Sequence, residues 1–177
     1  MHRLINLIKS DNFRLRLLEI VTSLNLPDCF IAAGFVRNLV WDYLHNYQGS
    51  ALNDVDVIYY NNSDVSEMIC KKAGDMLRSK APEVNWQIKN QALMHIRNND
   101  RVYINSTDAM TFWPEKETAI GVQLDKNGSI IVSAPFGVES LFQGKITYNP
   151  KRDKTIFLER VRNKQWLQKW PKLQVVL

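Results

Sequence analysis

The hydrophobic pattern at the start of the chain predicts helices alternating with a short buried strand. Apolar residues at helical spacing over 13–24, behind a cap at Asp11 or Ser10, predict the first helix. The short apolar run 29–33 predicts a buried strand. Helical spacing resumes over 36–43 and predicts a second helix directly after that strand.

The same alternation continues through the middle of the chain. The β-branched and aromatic segment 55–60 predicts a strand, and the apolar positions between 65 and 77 predict the next helix. Residues 84–88 alternate apolar and polar side chains as a half-buried strand does, and a further helix can start within 90–97. The first two thirds of the sequence therefore predict an α/β core.

The pattern changes near residue 119. Two apolar segments, 119–124 and 130–132, flank the turn 125–128 and predict a β-hairpin. The last basic stretch, 153–169, is predicted to be helical. The whole pattern predicts an α/β (α+β) fold, a mixed sheet flanked by helices with a C-terminal hairpin and helical appendage.

Length and composition favour one globular unit. The chain has 177 residues, of which 45% are hydrophobic and 23% charged, and these values exclude collagen-like, low-complexity and disordered classes. We expect a core over 1–118 and a smaller part over 119–177 packed on it. Residues 143–177 contain nine Lys or Arg against two acidic residues, which makes this end a candidate surface for anions.

Cysteine usage and hydropathy indicate the compartment. Cys29 and Cys70 are the only cysteines and lack metal-ligand spacing, so we expect free thiols. Asn6 and Lys9 interrupt the apolar residues of the N-terminus, and no run approaches the ~20 apolar residues of a membrane span. We therefore expect a cytoplasmic location and no membrane partner.

Two carboxylates provide the clearest candidate chemistry. Asp54 and Asp56 stand two residues apart at a predicted strand, so both side chains project from the same face. Paired hard oxygen ligands suit Mg²⁺ or Mn²⁺, with substrate phosphates and water completing the coordination. The alternative is that they are solvated or capping residues, which is the more frequent role of an isolated Asp-x-Asp pair.

The turn at Gly34 provides a second candidate site. A strand ends there and a helix begins at once, so free backbone N–H groups and the helix dipole favour a bound phosphate. Gly34 lets the backbone approach a triphosphate without a Cβ clash. Arg37 can add positive charge, or it can instead form an ion pair with a carboxylate such as Asp42.

The order of these features resembles the nucleotidyltransferase superfamily that includes DNA polymerase beta. More closely, the chain looks like an uncharacterised bacterial family of nucleotidyltransferase-like proteins, and the resemblance extends over nearly the whole chain. The segments that carry the resemblance are 33–42, 53–60, 89–95, 108–114, 134–137 and 166–171.

The resemblance implies two-metal nucleotidyl transfer. Asp54 and Asp56 would be the catalytic residues that bind Mg²⁺ (or Mn²⁺), while an acceptor attacks the α-phosphorus of an NTP and pyrophosphate leaves. The acceptor is an unidentified hydroxyl-bearing small molecule, RNA or protein. The expected nucleotide-binding residues are Gly34, Phe35, Arg37, Asn38, Lys89, Asn90 and His95.

Two departures from the superfamily pattern leave alternatives open. Phe35 follows Gly34 where a serine or glycine is usual, and 84–89 lacks the third carboxylate that often lies on the next strand. A nucleotide- or nucleic-acid-binding module without transfer activity is therefore the second hypothesis, and a purely structural interaction protein the third. His95 can position an acceptor or phosphate, but it can equally be a hydrogen-bonded packing residue.

The C-terminal residues leave a similar choice. Trp113, Trp166 and Trp170 can stack on a base or can pack between elements, and packing is the commoner role of large aromatics beside proline. Arg160 and its basic neighbours can contact a nucleotide or RNA acceptor, or they can form a solvated helix face.

Overall fold

The computed structural model describes residues 1–177, which form nine helices and seven strands. The helices are α1 (His2–Lys9), α2 (Asn12–Thr22), α3 (Gly34–His45), α4 (Glu67–Lys80), α5 (Gln91–Asn98), α6 (Ser106–Met110), α7 (Glu139–Phe142), α8 (Lys154–Asn163) and α9 (Trp166–Lys169). The strands are β1 (Phe30–Ala32), β2 (Val55–Tyr59), β3 (Trp86–Asn90), β4 (Gly121–Leu124), β5 (Ile130–Ser133), β6 (Lys145–Thr147) and β7 (Gln174–Val176). None of the helices is long and apolar enough to cross a bilayer.

A five-stranded mixed sheet, in the order β3-β2-β1-β4-β5, organises the fold. β2 and β3 are parallel, and every other neighbouring pair is antiparallel. This arrangement confirms the predicted mixed sheet flanked by helices. The hairpin β4–β5 differs from the expected appendage, because β4 pairs with β1 and so extends the main sheet. All three residues of β1 are buried, so its backbone needs a partner strand on both sides.

The two faces of the sheet have different roles. Ile31 and Val57 point to the face that carries the main apolar core, which is covered by the N-terminal helices and α3. Phe30, Ala32 and Ile58 point to the opposite face and form a smaller apolar cluster. Because side chains alternate along a strand, Asp56 lies on this second face with Ile58.

The predicted helices are largely present, with shifted boundaries. Asp11 caps α2, since its carboxylate accepts a hydrogen bond from the Arg14 backbone N–H at 2.9 Å. Leu17 is buried as the spacing predicts, whereas Phe13 is exposed. The predicted helix over 153–169 is instead α8 and α9, because Gln165 adopts a left-handed conformation with φ of 52° and breaks the helix between them.

The C-terminal segment is anchored to α3. The Trp170 indole N–H donates to Asp42 Oδ1 at 2.8 Å, and the Lys172 backbone N–H donates to His45 Nε2 at 2.9 Å. Trp166 and Trp170 also pack edge-on against Trp41, with ring centroids 5.6 and 5.1 Å away. These two tryptophans are therefore packing residues, and the last helix and strand are held against the core.

The buried hydrogen bond of Trp170 gives a test of this anchor. Replacing Trp170 with Phe keeps an aromatic ring but removes a donor to a carboxylate that is 2% exposed. We expect the free energy of unfolding to fall by about 1–3 kcal/mol, measured by urea denaturation. The control is Trp113→Phe, a half-buried indole without a hydrogen bond; a loss as large at Trp113 would contradict the anchoring role.

The two cysteines are free, as predicted, and they differ in environment. Burial raises the pKa of the Cys29 thiol to about 12, so this side chain stays a neutral thiol through the range pH 7 to 9. Cys70 is half-buried, and its Sγ lies 3.2 Å from the Tyr59 hydroxyl.

We expect iodoacetamide to label Cys70 before Cys29 in the native protein and both residues in urea, as read by mass spectrometry. Equal native labelling rates would contradict the burial of Cys29.

Candidate active site

A cleft of about 480 Å³ lies over the Asp56 face of the sheet. Its floor includes Asp56 and Lys89 from the neighbouring strands β2 and β3. Its wall includes Thr118 and Arg160, and Ala33 lines the cleft where β1 turns into α3. The sheet thus places a carboxylate, a helix start and several cations around one cavity.

The two predicted carboxylates are close in the structure, but only Asp56 lines the cleft. Asp54 immediately precedes β2 and Asp56 is the second residue of that strand. Burial raises the pKa of the Asp56 carboxyl; the negative charge of Asp54 also raises it, while Lys89 and Arg37 act in the opposite direction. The Asp56 carboxylate therefore lies in a partly desolvated position beside a second negative charge.

This pair fits a magnesium ion with few protein ligands. Its oxygens are hard donors, and the repulsion between the two carboxylates is the kind of interaction that a divalent cation relieves. No group of three or more His, Cys, Asp or Glu side chains is placed to hold a metal anywhere in the chain. The acidic side chains that could hold the ion here are thus Asp54 and Asp56, and Mg²⁺ commonly takes water and substrate phosphates as its other ligands.

The strand beside the carboxylates contributes a cation. The parallel register of β2 and β3 pairs Asp56 with Gln87 and Ile58 with Lys89, so Gln87 and Lys89 share the Asp56 face. Lys89 Nζ lies 4.0 Å from Asp56 Oδ1. A lysine therefore stands on the strand where the superfamily pattern often has a third carboxylate.

Two other acidic residues that could have replaced that carboxylate lie elsewhere. Glu83 forms an exposed ion pair with Arg16. Asp108 accepts two hydrogen bonds from Arg101, at 2.8 and 2.6 Å, and neither acidic residue lines the cleft.

The start of α3 is shaped for an anion. Ala33, the residue before the helix, has φ of 56° and ψ of −121°, a conformation that non-glycine residues rarely adopt. No side chain caps this helix end, although its first N–H groups lack partners within the helix. A Cβ at Gly34 would meet only ordinary contacts, at 3.5 Å or more from Asn38 and Arg37. Internal packing therefore does not require glycine here.

Arg37 is buried rather than exposed to the cleft. Its guanidinium lies between Trp41 and Trp166, 4.7 and 4.5 Å from the ring centroids. It donates to Thr118 Oγ1 at 2.7 Å and to Asn38 Oδ1 at 3.0 Å, while its Nε has no partner. Burial lowers the pKa of Arg37 to about 10. The side chain does not form the ion pair with Asp42 that sequence reasoning left open, and it braces the first turn of α3 instead.

The remaining predicted nucleotide-binding residues are distributed around the site. Phe35 is fully buried in the core, and half-buried Asn38 holds Arg37. Asn90 is engaged in capping α5, because its Oδ1 accepts from the backbone N–H of Ala92 at 3.1 Å. His95 is half-buried with its ring edge-on to an aromatic neighbour, Tyr103, and its Nδ1 is unpartnered. Of this set, the structure brings Lys89 to the cleft beside Asp56, with the start of α3 at the cleft wall.

Several cleft residues were missed by sequence reasoning. Gln91, Met94 and Arg97 line the cleft from α5, and their spacing of three is the helical signal that could have identified this face. Arg152 also lines the cleft, where its guanidinium pairs with the Asp100 carboxylate. No sequence signal identifies Arg152, because Asp100 lies 52 positions away.

Comparisons with known proteins agree with this geometry. A sequence model of a family described as nucleotidyltransferase matches residues 19–175. A solved structure described as revealing a CCA-adding enzyme head domain is similar to the chain with a TM-score of 0.86 and 26% sequence identity. The similarity covers 99% of this chain and 95% of the other. No curated protein matches the chain significantly.

The space around Gly34 allows a test of phosphate binding at the start of α3. Gly34→Ala adds only ordinary contacts, so we expect the free energy of unfolding to change by less than about 0.5 kcal/mol. Binding of inorganic tripolyphosphate, measured by calorimetry, should weaken because the new Cβ blocks approach to the backbone N–H groups. The matched control is Gly74→Ala in α4, away from the cleft. Unchanged tripolyphosphate affinity in Gly34→Ala would contradict this role.

Proposed function

The chain belongs to the nucleotidyltransferase family, and from this premise we propose that it transfers a nucleoside monophosphate from an NTP to a hydroxyl-bearing acceptor. The observation that carries the proposal is the Asp54–Asp56 pair beside a cleft that also contains the open start of α3. A carboxylate pair and an anion site at one cavity are the two features that a metal-bound triphosphate requires.

In this proposal, different residues at and beside the cleft bind the metal ion and the triphosphate. Asp54 and Asp56 hold Mg²⁺ or Mn²⁺, which when bound neutralises phosphate charge. The free N–H groups at the start of α3 bind the triphosphate and orient it. Lys89, beside Asp56, places a further positive charge near the substrate oxygens. In the transfer, the acceptor oxygen bonds to the α-phosphorus as the bond to pyrophosphate breaks, and the hydroxyl proton passes to solvent water.

Positioning carries most of the catalysis in this proposal. Asp56 is the only carboxylate that lines the cleft, and since it is assigned to the metal, no further cleft carboxylate can take the acceptor proton. The rate then depends on alignment of the acceptor with the α-phosphorus and on charge stabilisation of the leaving pyrophosphate. The similar structure is described as a CCA-adding enzyme head domain, so an RNA 3′ end is the first acceptor to test, before small molecules and proteins.

A second candidate function is nucleotide or nucleic-acid binding without transfer. The observation that favours it is Lys89, a cation where a third carboxylate would otherwise assist the acceptor. The nucleotide-binding form of this candidate requires the same nucleotide site as the transferase and differs from it only in turnover.

The nucleotide site is tested by thermal unfolding with each NTP, with and without Mg²⁺ or Mn²⁺. We expect metal-dependent stabilisation of the parent chain, because a ligand that binds the folded state raises the melting temperature. Asp56→Asn should abolish the metal-dependent part. The control is Asp75→Asn, which removes the same charge from an exposed ion pair on α4. Equal stabilisation of Asp56→Asn and the parent would refute the site.

Turnover is tested with an α-labelled NTP and an RNA that ends in a free 3′ hydroxyl. We expect labelled RNA with the parent chain and none with Asp54→Asn or Asp56→Asn, since the change removes a metal ligand. Metal-dependent NTP binding with no labelled product across RNA, protein and small-molecule acceptors would establish the second candidate instead.

A further inference from the structure

Arg160 on α8 is a cation of the cleft wall that the proposed function does not use. It belongs to the basic C-terminal stretch, and its half-buried side chain lines the same cavity as Asp56 and Ala33. The inference below rests on the proposed function and assigns a residue that recognises one part of the NTP.

A buried carboxylate holds the Arg160 guanidinium in one orientation. Arg160 Nε donates to Glu115 Oε1 at 2.7 Å, and Nη2 donates to Oε2 at 3.2 Å. Glu115 is 1% exposed, and burying a carboxylate is costly unless a partner compensates it. Two parallel hydrogen bonds restrain the planar fork far more than a single contact would.

One nitrogen of this guanidinium remains available. The pair with Glu115 uses Nε and Nη2, while Nη1 makes no hydrogen bond within the protein. Arg160 is therefore an oriented donor to the cleft, with its remaining N–H groups open to a ligand anion.

The other cations of the cleft differ from Arg160 in this respect. Each of the three nitrogens of Arg152 already donates, to the Asp100 carboxylate or to the Phe112 carbonyl, so none of them is without a partner. Lys89 faces Asp56, and Arg97 is exposed and makes no hydrogen bond that would fix its position. Among these cations, Arg160 alone combines a fixed orientation with a guanidinium nitrogen that has no partner.

The chain also connects Arg160 to the start of α3. Arg37, in the first turns of that helix, donates to Thr118 Oγ1, and the Thr118 backbone N–H donates to the Glu115 carbonyl at 3.2 Å. Glu115 in turn holds Arg160. These contacts connect the helix start to the guanidinium through one tight turn, and Ala33 and Arg160 both line the cleft.

We propose that Arg160, oriented by Glu115, binds the triphosphate tail of the NTP beside the start of α3. Phosphate oxygens are acceptors that suit a guanidinium fork, and the tail is the anionic part of the substrate. Arg160 is thus a substrate-binding residue and Glu115 its positioning residue.

The test compares the binding of an NTP, inorganic tripolyphosphate and the corresponding nucleoside by calorimetry in the presence of Mg²⁺. Arg160→Gln should weaken NTP and tripolyphosphate binding at least tenfold and leave nucleoside binding within twofold. The matched control is Arg162→Gln, which removes the same charge from the same helix but lies in a separate groove with Leu158 and Val175. Similar losses in both variants, or NTP affinity of Arg160→Gln within twofold of the parent, would overturn the proposal.

A double-variant experiment tests the positioning role of Glu115. If Glu115 acts only by orienting Arg160, then Glu115→Gln should weaken tripolyphosphate binding, and adding it to Arg160→Gln should cause no further loss. Additive losses would overturn this role. Circular dichroism and ligand-free melting temperatures establish whether each variant is folded. If Arg160→Gln does not fold, Arg160→Lys replaces it in the test, and we expect its tripolyphosphate affinity to lie below that of the parent.

The two proposals fail in different ways. A parent chain that binds neither NTP nor tripolyphosphate would refute the proposed function itself. NTP binding that depends on Asp56 but not on Arg160 would overturn only the present inference.

Discussion

The antiparallel pairing of β1 with β2 is the constraint on which the site depends. Its register places Ala32 opposite Asp56, and α3 begins two residues after Ala32. The Asp56 carboxylate and an open helix N-terminus therefore meet at the same end of these two strands. A slip of one residue would turn Asp56 into the apolar core and destroy the site, so burial of Val57 on the opposite face also enforces the register.

The C-terminal part of the chain completes this arrangement. Trp170 and Lys172 attach it to the C-terminal half of α3, and Trp166 covers one face of the Arg37 guanidinium. From this anchored segment, α8 delivers Arg160 to the cleft wall. Six of the nine Lys and Arg side chains at this end are exposed, whereas Arg152 and Arg160 line the cleft.

Local patterns were sufficient to predict much of the fold. Strand β2 with its aspartates, the strand-to-helix transition at Gly34 and the hairpin β4–β5 each follow from residues that are close in sequence. The placement of the hairpin did not, because the pairing of β4 with β1 joins segments about 90 residues apart, and no local pattern encodes that distance. The short helix α6 and the break at Gln165 were likewise decided by tertiary packing and a single backbone conformation.

Local sequence patterns likewise predicted part of the candidate site, and long-range contacts decided the rest. The carboxylate pair was found because both aspartates lie within three residues. The burial of Arg37 depends on Trp166, which is 129 positions away. The orientation of Arg160 depends on Glu115, which is 45 positions away. Asn90 matched the family motif, and the structure uses it to cap α5. Motif position therefore indicated the neighbourhood of the site, while tertiary contacts decided which side chains reach the cleft.

The most direct test of the account is paramagnetic broadening of backbone amide signals by Mn²⁺ in the presence of an NTP, followed by NMR on the ¹⁵N-labelled chain. Broadening falls off steeply with distance from the ion, so it locates the metal independently of any activity. The account predicts that the amides of Asp54, Asp56 and Gly34 broaden first and together, and that this pattern requires the nucleotide. Broadening centred elsewhere on the surface, with these amides unaffected, would contradict it.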